Sequence, residues 1–256
     1  MDSILLPAQL DISKIKFGAV RTNTAGGKSV SVTHNGAPII MQTPEMISPF
    51  GLSKWEKSGE TASTDTFKYN LDLGFNGRDE RENLNTFYNK MSEFDEILIS
   101  QGIENSMNWL GKKITSEEVI RELFSPMIRH ARDKNTGEIT DKYPPTFKLT
   151  IPFKDGKFLC DVYGPDKSPA DLHTMVTKGS RVTAIVQCVG IWVVGKKYGC
   201  SWKVLQMKVV PRSNIPKCAF RDVENDAVKD EHVPAEEVAE DDPELLAESD
   251  DELDRK

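Results

Sequence analysis

The chain has 256 residues, 38% of them hydrophobic, enough for one sizeable core, and a net charge of −7. Its four cysteines, Cys160, Cys188, Cys200 and Cys218, include no C-x-x-C pair, which argues against a zinc ribbon or a redox dithiol. No apolar run reaches the roughly 18 residues of a spanning helix, and no basic-then-apolar leader opens the chain, so an intracellular, reducing setting without disulfides is expected, nuclear or cytoplasmic.

The charge is divided along the chain. Residues 221–256 carry sixteen acidic and four basic side chains, net −12, whereas residues 1–220 carry twenty-four acidic and twenty-nine basic, net +5. A mildly basic body over 1–220 and an acidic, disordered tail over 221–256 are the expected units.

In chain order, Ile12, Ile15 and Phe17 are early core candidates, and 21–37, rich in Thr, Asn, Gly and Ser, reads as a loop or a weak hairpin. Ile39 to Met41 form a short strand. Thr43 to Trp55 read as an ordered irregular segment pinned by Phe50, Leu52 and Trp55. Phe67, Tyr69, Leu71 and Leu73 alternate as a strand does. The period then changes: Leu84, Phe87, Met91, Phe94 and Leu98 mark an amphipathic helix over about 80–100, with Gly102 as its kink or end. Thr115 and Glu118 resemble a capping box before a second helix carrying Val119, Ile120, Leu123 and Phe124.

From Phe147 the period is two. Phe147, Leu149, Ile151 and Phe153 alternate, Asp155–Gly156 predicts a type I′ hairpin turn, and Lys157 to Tyr163 return. Leu172 to Thr177 read as a short helical connection. Val182 to Val194 read as a central strand or as two strands joined by a bend, Gly195 to Gly199 as a turn, and Trp202 to Val210 as a final strand. Short strands joined by short turns suit a small closed or nearly closed antiparallel barrel, because closure protects strand edges. The fold class is therefore mainly β, elaborated by N-terminal strands and about two helices inserted over 80–130.

Single-stranded nucleic acid is held by cations for its phosphates and flat rings for its bases. The C-terminal strands offer both, in Lys196, Lys197, Tyr198, Trp202, Lys203 and Arg212, with Lys154, Lys157 and Phe158 around the hairpin turn. Trp192, inside the apolar run GIWVVG, reads as core. His34, His130, His173 and His232 have no metal-ligand spacing, Asp161 and Asp166 read as turn formers, and no phosphate-binding loop or nucleophile elbow is present. No catalytic residue, metal or cofactor is expected.

The series TPEMISPFGLSKW, NSMNWLGKK, YPPTFKLTIPFKDGKF and KGSRVTAIVQCVGIWVVGKKYGCSWKVLQMKV resembles the single-stranded-DNA-binding proteins of large nucleocytoplasmic DNA viruses, over roughly Ile39 to Val210. That set is similar to the replication binding proteins of certain tailed phages. The resemblance implies an OB-type barrel, cooperative or dimeric coating of exposed strands, and service to viral DNA replication, recombination or repair. The charge of the tail gives it two expected roles beside these, competing with DNA for the basic body and recruiting partners such as a polymerase or helicase. The phage tails end in an aromatic residue, whereas no aromatic follows Phe220 here, so charge competition and docking are the parts that carry over. The alternative is a viral structural or scaffolding protein whose β surface binds protein.

Overall fold

The computed structural model describes residues 4–24, 26–56 and 67–212. It is β-rich, with a few helices. The strands before the helices are β1 (Ile4–Leu5), β2 (Ile15–Thr22), β3 (Lys28–His34), β4 (Ala37–Pro38), β5 (Ile40–Gln42), β6 (Met46–Ile47), β7 (Leu52–Glu56) and β8 (Phe67–Gly74). Helices α1 (Glu82–Glu104), α2 (Ser106–Leu110) and α3 (Glu117–Leu123) follow. Then come β9 (Phe124–Ser125), β10 (Ile128–Arg129), β11 (Thr146–Ile151), β12 (Phe153–Lys154), β13 (Lys157–Phe158) and β14 (Asp161–Tyr163). Helix α4 (Leu172–Met175) leads to the two long strands, β15 (Arg181–Val194) and β16 (Lys197–Val210).

The hydrogen-bonded pairings run in a closed circuit. β6 pairs with β8, β8 with β11, β11 with β16, β16 with β15, and β15 with β6. All are antiparallel except β11–β16. Strand alternation puts Tyr69, Leu71, Leu73, Phe147, Leu149, Ile151, Val186, Trp202 and Val204 on the buried side of this circuit. Helix α1 lays its apolar stripe against that side: Phe87 meets Phe147 edge to face at 5.3 Å, and Phe94 meets Trp202 at 6.4 Å.

Several local expectations change. The segment 21–37, read as a loop or a weak hairpin, holds the turn and second arm of the antiparallel β2–β3 hairpin, and Val30 and Val32 of β3 are buried because β15 supplies a further partner strand. That is tertiary pairing overriding a turn-rich composition. Thr43 to Trp55, expected to be irregular, contains β6 and all of β7 but its last residue. Gly102 lies inside α1, which runs on to Glu104. It makes room for Tyr198, since a Cβ there would stand 2.0 Å from the phenol oxygen. The α3 cap is Ser116, not Thr115, with its hydroxyl accepting from the Val119 N–H. Asp155 and Gly156 do have positive φ, 51° and 75°, as a type I′ turn requires. The turn after β15 is shorter than expected, so β16 already begins at Lys197 and contains Tyr198 and Gly199. The acidic segment 221–256 lies outside the described residues.

Candidate nucleic-acid interface

The side of the circuit opposite the core is polar. Register joins one row across six strands: Ser53 of β7 faces Asn70 of β8, Asn70 faces Thr150 of β11, Thr150 faces Lys203 of β16, Lys203 faces Gln187 of β15, and Gln187 faces Ile40 of β5. At about 4.8 Å between strands this row spans roughly 24 Å. Thr150 is exposed, and Asn70, Lys203 and Gln187 are half-buried, while their neighbours along each strand are core. A second cross-strand pair extends the face beyond Ser53: Trp55, 37% exposed, stands opposite Lys68, whose ammonium lies 5.2 Å from the indole centroid.

The sheet is interrupted between β11 and β16. These strands pair directly only at Thr150 and Lys203. Nearer the start of β16, the segment Phe124–Arg129 is wedged between them, with β9 bonded to β16 and β10 bonded to β11. A cleft of about 180 Å³ opens where the wedge enters. Met127, Trp192 and Trp202 line it, with the hydroxyls of Ser125, Thr150 and Ser201 and the cations Arg129 and Lys148. Lys148 stands opposite Asp72 across β8–β11, which tempers the charge it brings. Arg129 is exposed at the end of β10.

Two features hold this geometry. Trp192 lies against its cross-strand partner Gly199, where a Cβ would come within 2.8 Å of both the indole Cζ2 and the Ser125 carbonyl oxygen. Only glycine admits the ring and the wedge together. Beneath the wedge, both carboxylate oxygens of Asp95 on α1 lie 3.1 Å from the Met127 N–H that donates to them. Burial pushes the Asp95 carboxyl up to about 7 against the pull of the backbone donors.

The residues expected at the interface divide. Lys203 lies at the centre of the polar row. Lys196 and Lys197 sit at the β15–β16 tip, and Lys197 is six residues, about 20 Å along β16, from Lys203. Lys154 and Lys157 are paired in the β12–β13 hairpin, a separate two-stranded sheet. Phe158 is half-buried below them, its ring packed against Tyr69, Phe153 and His173 at 4.9 to 5.2 Å. Arg212 is exposed and lies along Gly179.

Tyr198 and Trp202, expected to offer their rings to bases, are core residues instead. Tyr198 is 0% exposed, packs on Trp109 and Phe124, and donates its hydroxyl proton to the Leu98 carbonyl at 3.3 Å. Trp202 is 1% exposed, and its indole N–H is directed at the Met127 sulfur at 3.0 Å. The reason is register: strand begins at Lys197, so residues 198, 202 and 204 share the inward side. The face and its cleft also contain Trp192, which the sequence reads as core, and Arg129, Thr150 and Gln187, which it does not single out. Only the pairing register, which the linear pattern does not contain, brings them together.

A family model described as a family of unknown function (DUF5871) matches residues 79–222, more than half of the chain. The chain belongs to this family. The DUF5871 segment runs from the start of the helices past β16 and contains the whole wedge and its cleft. No curated protein sequence matches the chain. Among solved structures, gp2.5, a single-stranded DNA binding protein encoded by bacteriophage T7, is similar at 14% identity and a TM-score of 0.34, covering 78% of this chain and 100% of its own. The single-stranded DNA-binding protein of bacteriophage Enc34 in complex with ssDNA is similar at 12% identity and a TM-score of 0.33, covering 78% and 93%. Its C-terminal truncation gives 9% and 0.38, covering 78% and 97%. Likeness this distant assigns no ligand. Among the described residues, no group of three or more His, Cys, Asp or Glu is placed to hold a metal ion, and no helix is long and apolar enough to cross a membrane.

Proposed function

We propose that this DUF5871 protein binds single-stranded DNA, without sequence preference and without catalysis, on the outer face of β7, β8, β11, β16 and β15. The observation that carries the reading is the row Ser53–Asn70–Thr150–Lys203–Gln187, with an indole-bearing pair at one side and an indole-lined, arginine-edged cleft at the other. Hydroxyls and amides along such a row satisfy base edges of any identity. Lys203 and Arg129 meet phosphates, and Trp55 and Trp192 supply ring surface. The closed circuit, with its single parallel pair, fits a Greek-key barrel of the OB type, in which the face of the second and third strands, here β8 and β11, takes oligonucleotides.

The test is fluorescence anisotropy of labelled single-stranded DNA, duplex DNA and single-stranded RNA at several salt concentrations. The wild-type chain binds the single strand most tightly, with affinity falling steeply with salt. The combined Lys203→Glu and Arg129→Glu variant weakens all sequences alike and flattens the log–log salt slope by about 1.4, at ~0.7 per lost phosphate contact. Equal affinity for wild type and variant would remove this face from consideration.

The setting proposed for this activity is viral DNA replication, recombination or repair, inside the cell. The net −12 of residues 221–256 supports a further role for that segment: competing with DNA for the cationic face and docking a replication partner such as a polymerase or helicase. Coating of a strand by paired or cooperative copies belongs to the same proposal.

A further inference from the structure

The cleft between β11 and β16 is smaller than a drug-sized pocket and carries the chemistry of a single flat ligand with an attached anion. One wall is the half-buried indole of Trp192, held against Gly199. Ser125, Thr150 and Ser201 line the cleft with hydroxyls that both donate and accept, and the exposed Arg129 joins the lining. An apolar peptide side chain would leave those hydroxyls and the guanidinium unmatched. A nucleobase matches all three features, presenting a π-face to the indole, a polar edge to the hydroxyls and a phosphate to the arginine.

We infer that this cleft is a seat for one unstacked nucleobase, at which the strand proposed to cross the outer face is pinned. The inference rests on the single-strand reading and deepens it: the row through Lys203 holds the backbone loosely, and the cleft takes one base per protein molecule out of the stack. Ser201 and Thr150 tolerate any base edge, because a hydroxyl rotates to donate or accept. Arg129 carries the adjoining phosphate. Asp95, bonded to the Met127 N–H beneath, fixes the wedge that forms the cleft floor and is a positioning residue, not a contact.

The experiment compares two labelled 20-mers: oligothymidylate, and an abasic strand of the same length that has every phosphate and no bases. The full chain is measured as wild type, Trp192→Ala, Trp192→Phe and Ser201→Leu. Ser201→Leu keeps the indole and narrows the cleft from the outer face, so it tests the seat without removing packing. Trp192→Ala is expected to weaken oligothymidylate by roughly 5- to 150-fold, the range for one lost stacked base, with abasic binding unchanged. Trp192→Phe retains most of the affinity, and Ser201→Leu reproduces the selective loss. If wild type binds oligothymidylate and both Trp192→Ala and Ser201→Leu bind it equally well, the base seat is wrong while the single-strand reading stands. Equal losses on both probes also overturn the seat, because the residues then support structure and not a base. If wild type binds neither strand, both readings fall.

Discussion

Asp95 gives the sharpest test of the geometry beneath the cleft. Its carboxyl is 7% exposed and is pushed up to about 7 by burial, although both oxygens accept from Met127 N–H. The usual carboxylate value is 3.8, so the shift is about three units, or about 4 kcal/mol at 1.36 kcal/mol per unit. The folded chain therefore holds a proton that the unfolded chain has released. This contribution is fully present below about pH 4, is lost as pH rises towards 7, and is gone above it. Replacement by asparagine removes the titration. It also places an amide nitrogen where an oxygen accepted, at a cost of about 1–3 kcal/mol that does not depend on pH. The readout is therefore the change in the stability difference between wild type and Asp95→Asn, not its value at one pH. Urea unfolding at half-unit steps from pH 4 to 8 should show that difference swinging by up to about 4 kcal/mol in favour of the variant as pH rises. Parallel profiles would mean that Asp95 ionises normally and that the wedge is not held over a buried carboxyl.

Gly102→Ala would set a methyl 2.0 Å from the Tyr198 oxygen and 2.6 Å from its Cζ, so it should destabilise by about 1–3 kcal/mol in thermal or urea unfolding, despite the better helix propensity of alanine. Tyr198→Phe should cost no more than about 1.5 kcal/mol in the same assay and leave oligonucleotide affinity unchanged, because it deletes one interior hydrogen bond and no surface. Reversing both tip charges, Lys196→Glu with Lys197→Glu, should change the salt slope of oligothymidylate binding less than Lys203→Glu with Arg129→Glu does. The tip pair lies about 20 Å along β16 from the centre of the row. Removing residues 221–256 should tighten binding at low salt, measured by anisotropy, and the gain should shrink as salt rises and screens the competing carboxylates.

Much of the fold was legible because it rests on local period. Leu84 through Leu98 repeat at helical spacing and Phe147 through Ile151 alternate, and both patterns describe the faces these elements bury. Asp155–Gly156 was legible because the turn type it forms demands those residues. β3 was legible only as one arm of a weak hairpin, since the pairing that buries its outer edge comes from β15, more than 150 residues later. The site was harder. Lysines and rings clustered in sequence from Trp192 to Lys203 suggested one patch, but a strand sends alternate residues to opposite sides, so Lys203 and Trp202 cannot share a face. The residues that do share Lys203's face come from five other strands, at positions with no common local signal.

The long strands explain how one row can collect so many partners. β15 pairs in turn with β6, β5 and β3, and β16 with β14, β11 and β9. β16 holds one edge of β15 throughout, and β6, β5 and β3 follow one another along its other edge. The bend in β15 is a bulge between Cys188 and Gly190 that throws Val189 outward, 57% exposed, and turns the strand from β5 towards β3. Gly190 makes it feasible: its φ is 121°, and a Cβ there would stand 2.5 Å from the Val30 carbonyl oxygen. Its cross-strand partner is Ser201, on the edge of the cleft. The bulge that redirects β15 therefore also re-aims Trp192, two residues on, towards Gly199 and away from the alternation that Cys188 would otherwise impose. An apolar run that reads as continuous core thereby delivers an indole to the outer face.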